Sequence, residues 1–228
     1  MASISASAKD DKAIVWFDID NTLYSASTKV SYFVSLGLDE DEAFELHLNY
    51  YRQYGLALRG LVRHHRVDPL DFDAKCDGSL PLEDMIPPNP SLRQLFMDID
   101  RSKARVWAIT NAYRPHAERV LRILNLEDQI DGLIFSDYRE ENFVCKPEAE
   151  FYHRALKVAN VDDPSKCYFV DDSIVNINAA KALGWGHCVH FCERGQMTKI
   201  PDQEEVDGEI SNLEQLRHVW PEIFKSVS

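Results

Sequence analysis

Five short apolar runs, set apart by helical patterns, constrain this chain more than any other feature. They are AIVWF (Ala13–Phe17), RVWAI (105–109), GLIF (132–135), CYFV (167–170) and HCVHF (His187–Phe191). Between them lie amphipathic stretches such as PSLRQLFMDI, PHAERVLRILN, PEAEFYHRALKVAN and IVNINAAKALG. Strands alternating with helices predict an α/β fold, a Rossmann-like parallel sheet with helices on both faces. Ligands of such sheets bind at the carboxyl ends of the strands.

One interval breaks the alternation. Residues 24–88 carry no strand pattern. Phe44, Leu48 and Tyr51 are spaced as on one helix face, expected to be its packing stripe, and Leu58 and Val62 resume the pattern after Gly55. Pro69 and then PLEDMIPPNP punctuate the end of the interval. The expected organisation is a discontinuous α/β core (12–23 and 89–224), a helical cap inserted after the first strand (24–88) and a disordered tail (1–11). A cap inserted there would sit over the strand ends and could close a site.

The first run ends in Asp18-Ile19-Asp20, and residues i and i+2 of a strand point to the same side. Two carboxylates facing one volume need a cation, a shared proton or water; alternatively they are solvated turn residues. The other run ends decide the matter. The second run is followed by Thr110-Asn111, a loop after the third carries Cys145-Lys146-Pro147-Glu148, and the fourth leads into Asp171-Asp172-Ser173. The topology therefore gathers four acids, a hydroxyl, an amide and a lysine at one sheet edge, and solvated turn acids would not track strand ends in this way.

That set suits phosphoryl transfer through an aspartyl phosphate. Asp18 is the expected nucleophile. A carboxylate attacking an anionic phosphate needs a cation, and Asp18 and Asp171, with the backbone carbonyl of Asp20, suit one Mg²⁺, a hard ion that prefers oxygen. Asp172 is expected as an outer ligand or holding a metal-bound water. Lys146 would neutralise the nucleophile and a phosphoryl oxygen, and Thr110 would donate a hydrogen bond to another. Asn111 is expected at the phosphate, with capping of the following turn as the alternative. Asp20 would protonate the leaving alkoxide and then deprotonate the attacking water. Asn176 is expected to support Asp171.

Composition narrows the field. A net charge of −13 argues against a general nucleic-acid binder. No apolar run approaches the ~20 residues of a membrane span. The opening MASISASAKDDK has neither an apolar core nor an arginine, so neither a secretory nor a mitochondrial address is expected. Five scattered cysteines suggest reduced thiols, in the cytosol or nucleus. The cluster HCVHFC (187–192) lacks the CxxC spacing of structural zinc sites and reads as a core strand.

Taken in order, these motifs resemble the haloacid dehalogenase superfamily, whose phosphatases carry DxD, a Ser or Thr on strand two, a downstream Lys and a terminal acid pair. The resemblance implies the roles given above to Asp18, Asp20, Thr110, Lys146, Asp171 and Asp172, and a helical cap of the family's first type. The presence of Asp20 argues against dehalogenation, which needs no leaving-group acid. DIDNTLY, YYRQYGLALRGLVRHH, LPLED, TNAYRPHAERVLRILN, VCKPEAEFYHRA and CYFVDDSIVNINAAKALG are further similar to the fungal pyrimidine 5′-nucleotidases of the superfamily, over residues 12–224. This implies a small phosphorylated substrate, a nucleoside 5′-monophosphate with UMP and CMP favoured. Two segments look shorter than in those relatives: the first cap helix (28–37) and the turn at 101–103. In the cap, Tyr50 and Tyr54 share a helix face suited to stacking on a base, and Arg59 is placed either to bond a pyrimidine carbonyl or to form a structural salt bridge. Two alternatives stay open. One is the same chemistry on a sugar phosphate, nicotinamide mononucleotide or a lysophosphatidic acid, or as a phosphomutase; the other is a non-catalytic binding protein. The sequence says nothing of oligomeric state.

Overall fold

The computed structural model describes residues 11–24, 39–193 and 208–226. The expected tail up to residue 10 and the expected short cap helix at 28–37 lie outside the described residues.

The centre of the fold is β1 (Ala13–Phe17). Its residues alternate between two cores: Ile14 and Trp16 enter one, Val15 and Phe17 the other. Burial on both faces explains why the strand is a continuous apolar run rather than an alternating one. β2 (Ala104–Ile109) and β4 (Cys167–Asp171) flank it, with β3 (Gly132–Ile134) outside β2 and β5 (His187–Phe191) outside β4. All pairings are parallel. A sixth strand, β6 (Gly208–Ile210), extends the sheet beyond β5 and was not expected. The HCVHFC segment is β5, with Cys188 and Val189 buried, so the strand reading holds. No helix among the described residues is long and apolar enough to cross a membrane.

The strand order, β3-β2-β1-β4-β5-β6, changes direction between β1 and β4. Crossovers diverge to opposite faces there, which opens a crevice at the carboxyl ends. The register places the ends of β1, β2 and β4 side by side, with Val15 opposite both Val106 and Tyr168.

The interval after β1 is helical among its described residues. It holds α1 (Glu40–Tyr54), α2 (Ala57–His65), α3 (Pro69–Lys75) and the short α4 (Leu82–Met85). α1 starts in a capping box between Asp39 and Glu42 and stops at Gly55, whose φ of 73° is left-handed. A Cβ at Gly55 would also collide with the Pro147 ring and the Lys146 carbonyl, so the α1–α2 corner rests on the core's lysine loop. α5 (Pro90–Asp98) then leads into β2. α6 (Arg114–Ile123), α7 (Ala149–Val158) and α8 (Ile174–Ala182) complete the crossovers.

The buried side of α1 differs from the expected one. Ala43 is buried and Leu46 and Tyr50 pack on the cap cluster, while Phe44 and Tyr51 are exposed. Adjacent helix positions differ by about 100°. The stripe read as packing therefore lies on the outer side.

Candidate active site

Three neighbouring strands end in polar residues. Asp18 follows β1 directly and continues its ladder, its N–H donating to the Val170 carbonyl at 3.0 Å. Thr110 follows β2, and Asp171 closes β4. All three are buried, as is Lys146. Lys146 reaches in from the loop after β3. Its Nζ lies 2.5 Å from Asp18 Oδ1, 2.6 Å from Asp171 Oδ2 and 3.2 Å from the Ile109 carbonyl, so all three ammonium protons have acceptors.

The remaining carboxylate oxygens are also engaged. Thr22 Oγ1 donates to Asp18 Oδ2 at 2.9 Å. Asp171 Oδ1 accepts from the Ser173 N–H at 2.8 Å and from the Asn176 amide at 2.9 Å, the support expected of Asn176. Ligand oxygens of Asp18, Asp171 and Asp172 all lie within 4.8 Å of one another. Three hard oxygen donors at that spacing fit a small divalent cation.

Electrostatics agree with the geometry. Burial raises the Asp18 pKa well above the ordinary carboxylate range; Lys146 opposes this, and Asp171, Asp172 and Asp20 add to it. Burial, with Asp171 next, pushes Asp172 up to about 7. Burial disfavours the charge on Lys146, but Asp171 and Asp18 together outweigh it and hold the ammonium above its ordinary value. Carboxylates crowded around one lysine leave an excess of negative charge, which a cation would relieve.

Asp20 joins the site from the turn after β1. Its Oδ2 accepts from Thr110 Oγ1 at 3.2 Å. Its Oδ1 accepts from the Tyr24 hydroxyl at 2.5 Å and lies 2.8 Å from His116 Nε2.

Asn111 is placed differently from expectation. Its amide accepts from the Lys146 N–H at 2.7 Å and donates to the Lys146 carbonyl at 2.9 Å. Both ends of the side chain are bonded to the backbone of Lys146, so Asn111 clasps the lysine loop.

Between cap and core lies a cavity of about 140 Å³, whose walls include Asp20, His47, Tyr51, Phe72, Asn111 and Tyr138. Tyr50 and Tyr54 do not line it. They do share a face, with ring centroids 6.0 Å apart, but that face packs against α2. The Tyr50 ring covers Gly60 and stacks on His64 at 5.4 Å, and its hydroxyl pairs with His65 at 2.8 Å. Tyr54 pairs with His64 at 2.7 Å under the Arg63 guanidinium. Arg59 bonds Glu148 at 3.1 Å and the Phe143 carbonyl at 2.5 Å, which makes it a strut between cap and core. Protein partners thus engage Tyr50 and Tyr54, and for Arg59 the salt bridge is the alternative observed.

Tyr51 is the cap aromatic that faces the carboxylates. Its ring is partly exposed, but loss of water around the hydroxyl end, followed by the nearby Asp172 charge, pushes its pKa up to about 12, with a Ser173 hydrogen bond to the hydroxyl opposing the shift. The sequence reading assigned Tyr51 to packing and gave no role to Thr22, Tyr24, His47 or His116. For Thr22 and Tyr24 a signal existed, since both lie within four residues of an expected catalytic aspartate.

A parallel sheet with clustered acids and a bridging lysine at the ends of its central strands defines an α/β enzyme with its reactive edge at the switch point. The family model for haloacid dehalogenase-like hydrolases matches residues 12–184, and the chain belongs to that family. Over 200 residues it is 35% identical to Phosphate metabolism protein 8 of Saccharomyces cerevisiae, a match covering 80% of this chain and 62% of that protein. The chain thus spans less than two thirds of this relative's length. Solved structures with the same fold include a dehalogenase in an intermediate complex, with a TM-score of 0.62 and 17% identity over 95% of this chain and 99% of that one. A phosphatase of the family from Thermococcus onnurineus gives 0.56 and 21% over 91% and 97%. The putative hydrolase YfnB from Bacillus subtilis, bound to magnesium, gives 0.58 and 14% over 91% and 98%.

Proposed function

We propose that the chain is a Mg²⁺-dependent phosphomonoesterase that works through an aspartyl phosphate. The observation that carries this reading is the buried Asp18–Lys146–Asp171 bridge, with the ligand oxygens of Asp18, Asp171 and Asp172 within 4.8 Å of one another. An unreactive fold gains little from such crowding, because buried like charges are costly. Asp18, Asp171 and Asp172 would hold the cation. When bound it would neutralise phosphoryl charge and orient the ester.

The residues supply the rest. An oxygen of Asp18 attacks phosphorus as the bond to the leaving oxygen breaks, and Asp20 gives that oxygen a proton. Water then attacks the acyl phosphate, its proton passing to Asp20, and Asp18 is regenerated. Lys146 holds the nucleophile in place and offsets its charge. Thr110 lies beside Asp20, at the edge where phosphoryl oxygens would sit.

For the substrate we favour nucleoside 5′-monophosphates, UMP and CMP first. The resemblance to pyrimidine nucleotidases supports this, and the yeast relative's name, which speaks of phosphate metabolism, fits a phosphate ester. The described wall of the cap–core cavity carries the acids Asp20 and Asp77, which suits a leaving group without further negative charge. We assign the cap to residues 24–88 and the protein to the cytosol or nucleus. Phosphate release from a panel of nucleotides, sugar phosphates and lysophosphatidic acid, with Mg²⁺ and with chelator, tests the reading. Release from none of them would overturn it.

A further inference from the structure

The carboxyl of Asp20 is gripped unevenly. Oδ1 receives the Tyr24 hydroxyl at 2.5 Å and faces His116 Nε2 at 2.8 Å, and these two groups are 3.1 Å apart. Oδ2 accepts the Thr110 hydroxyl at 3.2 Å. Tyr24 ends the turn that carries Asp20, and His116 lies in the first turn of α6, so two separate elements converge on one oxygen.

The tautomer of His116 follows from its burial. The side chain is 1% exposed, and Nδ1 has no hydrogen-bond partner among the described residues. A buried N–H without an acceptor costs more than a bare lone pair. A ring proton therefore belongs on Nε2, where Asp20 accepts it. The Tyr24 hydroxyl donates its proton to the same oxygen at 2.5 Å. With two donors on Oδ1, a proton carried by Asp20 is directed to Oδ2.

We propose that His116 and Tyr24 are positioning residues for Asp20: by occupying Oδ1 they fix the rotamer of the carboxyl and select Oδ2 as the oxygen that transfers the proton. This rests on reading Asp20 as the acid of the proposed phosphatase. The proton leaves Oδ2 for the departing oxygen as the phosphorus–oxygen bond breaks, and one returns there from the water that cleaves the acyl phosphate. His116 and Tyr24 keep their own protons throughout. The Asp20 side chain is 21% exposed, so burial alone does not fix its rotamer.

The experiment compares an alkyl ester, UMP, with p-nitrophenyl phosphate, whose leaving group needs little protonation. Single-turnover release of alcohol or phenol is measured with Mg²⁺ for wild type, His116→Ala, His116→Gln, Tyr24→Phe and Asp20→Asn. His116→Ala should slow the alkyl ester about ten- to a hundredfold and the aryl ester less than threefold, with KM unchanged. Tyr24→Phe should show the same split more weakly. His116→Gln, which still offers an N–H, should recover part of the alkyl rate. In an Asp20→Asn background, His116→Ala should add no further loss. Equal losses on the two esters, or full additivity with Asp20→Asn, would overturn the positioning role while leaving Asp20 as the acid. If Asp20→Asn itself shows no split, the acid assignment fails and the inference fails with it. His116→Gln and Tyr24→Phe keep the ring volume and the phenyl ring respectively, so the test stands even where His116→Ala folds poorly.

Discussion

The strand-end edge and the cap face opposite it use polar and aromatic side chains in contrasting ways. At the edge, the Lys146, Asp18 and Asp171 side chains are 2%, 6% and 0% exposed, and every ammonium proton has an acceptor. In the cap, Tyr51 is 41% exposed and extends over the carboxylates. The edge is over-determined by bonds to rigid strands, which suits the handling of a constant phosphoryl group. The described helices of the cap contribute no strand to the sheet and can change without disturbing it, which suits recognition of a variable leaving group.

The sharpest way to break this contrast is Asp18→Asn. The amide is nearly isosteric but cannot form the acyl phosphate, so kcat should fall by about 10⁴-fold or more. The fold should persist, because the change removes one charge from a crowded acidic cluster. A folded variant retaining a tenth of wild-type turnover would show that the edge is not the reactive region. Chelation should act nearly as strongly. Activity should vanish in excess EDTA and return with Mg²⁺ or Mn²⁺, whereas Ca²⁺ should bind and support little turnover, since its larger, looser coordination misplaces the nucleophile. Turnover that persists after exhaustive chelation would remove the cation from the edge.

Lys146→Met separates the two duties of the bridge. Removing the ammonium leaves Asp18 and Asp171 buried without their counter-charge, a loss of about 3–5 kcal/mol in stability. Added Mg²⁺ should recover much of the melting temperature by binding the folded state. It should not restore kcat, which we expect to be down about 10²- to 10³-fold for want of a positioned donor. Recovery of both by Mg²⁺ would mean that Lys146 only balances charge.

These edge residues were legible because strand ends in a parallel sheet share one side of the molecule, and each acid follows an apolar run. Chain order alone then gathers Asp18, Thr110 and Asp171. What Asn111 bonds was not legible. An amide beside a phosphate site and an amide clasping a neighbouring peptide look alike in sequence, and only the 2.7 and 2.9 Å bonds to Lys146 distinguish them. β6 was missed because three residues with an exposed Glu209 make no apolar run. His116 gave no signal, since a lone histidine on a helix usually reads as packing. In the cap, the error was one of phase. Phe44-Leu48-Tyr51 and Ala43-Leu46-Tyr50 are both plausible packing stripes one to two residues apart, and which of them faces inward depends on the tertiary contacts of α2 and of the Tyr138–Phe143 loop.

The smallest expected effect tests that phase directly. If the leaving group meets the outer side of α1, Tyr51→Ala should raise KM for UMP and CMP several-fold, in line with about 1–3 kcal/mol for an aromatic–base contact and the partial exposure of the ring. Hydrolysis of p-nitrophenyl phosphate should change less, because its smaller leaving group reaches less of the cap. Tyr54→Ala should leave both KM values within about twofold. It should instead lower the melting temperature by a few degrees, since the Tyr54 ring is engaged by His64 and Arg63. Tyr51→Phe keeps the ring and loses the bond to Ser173, so it should behave like wild type if stacking dominates and like Tyr51→Ala if the hydroxyl does. A rise in KM confined to Tyr54→Ala would reverse the assignment and return the α2-facing tyrosines to the substrate.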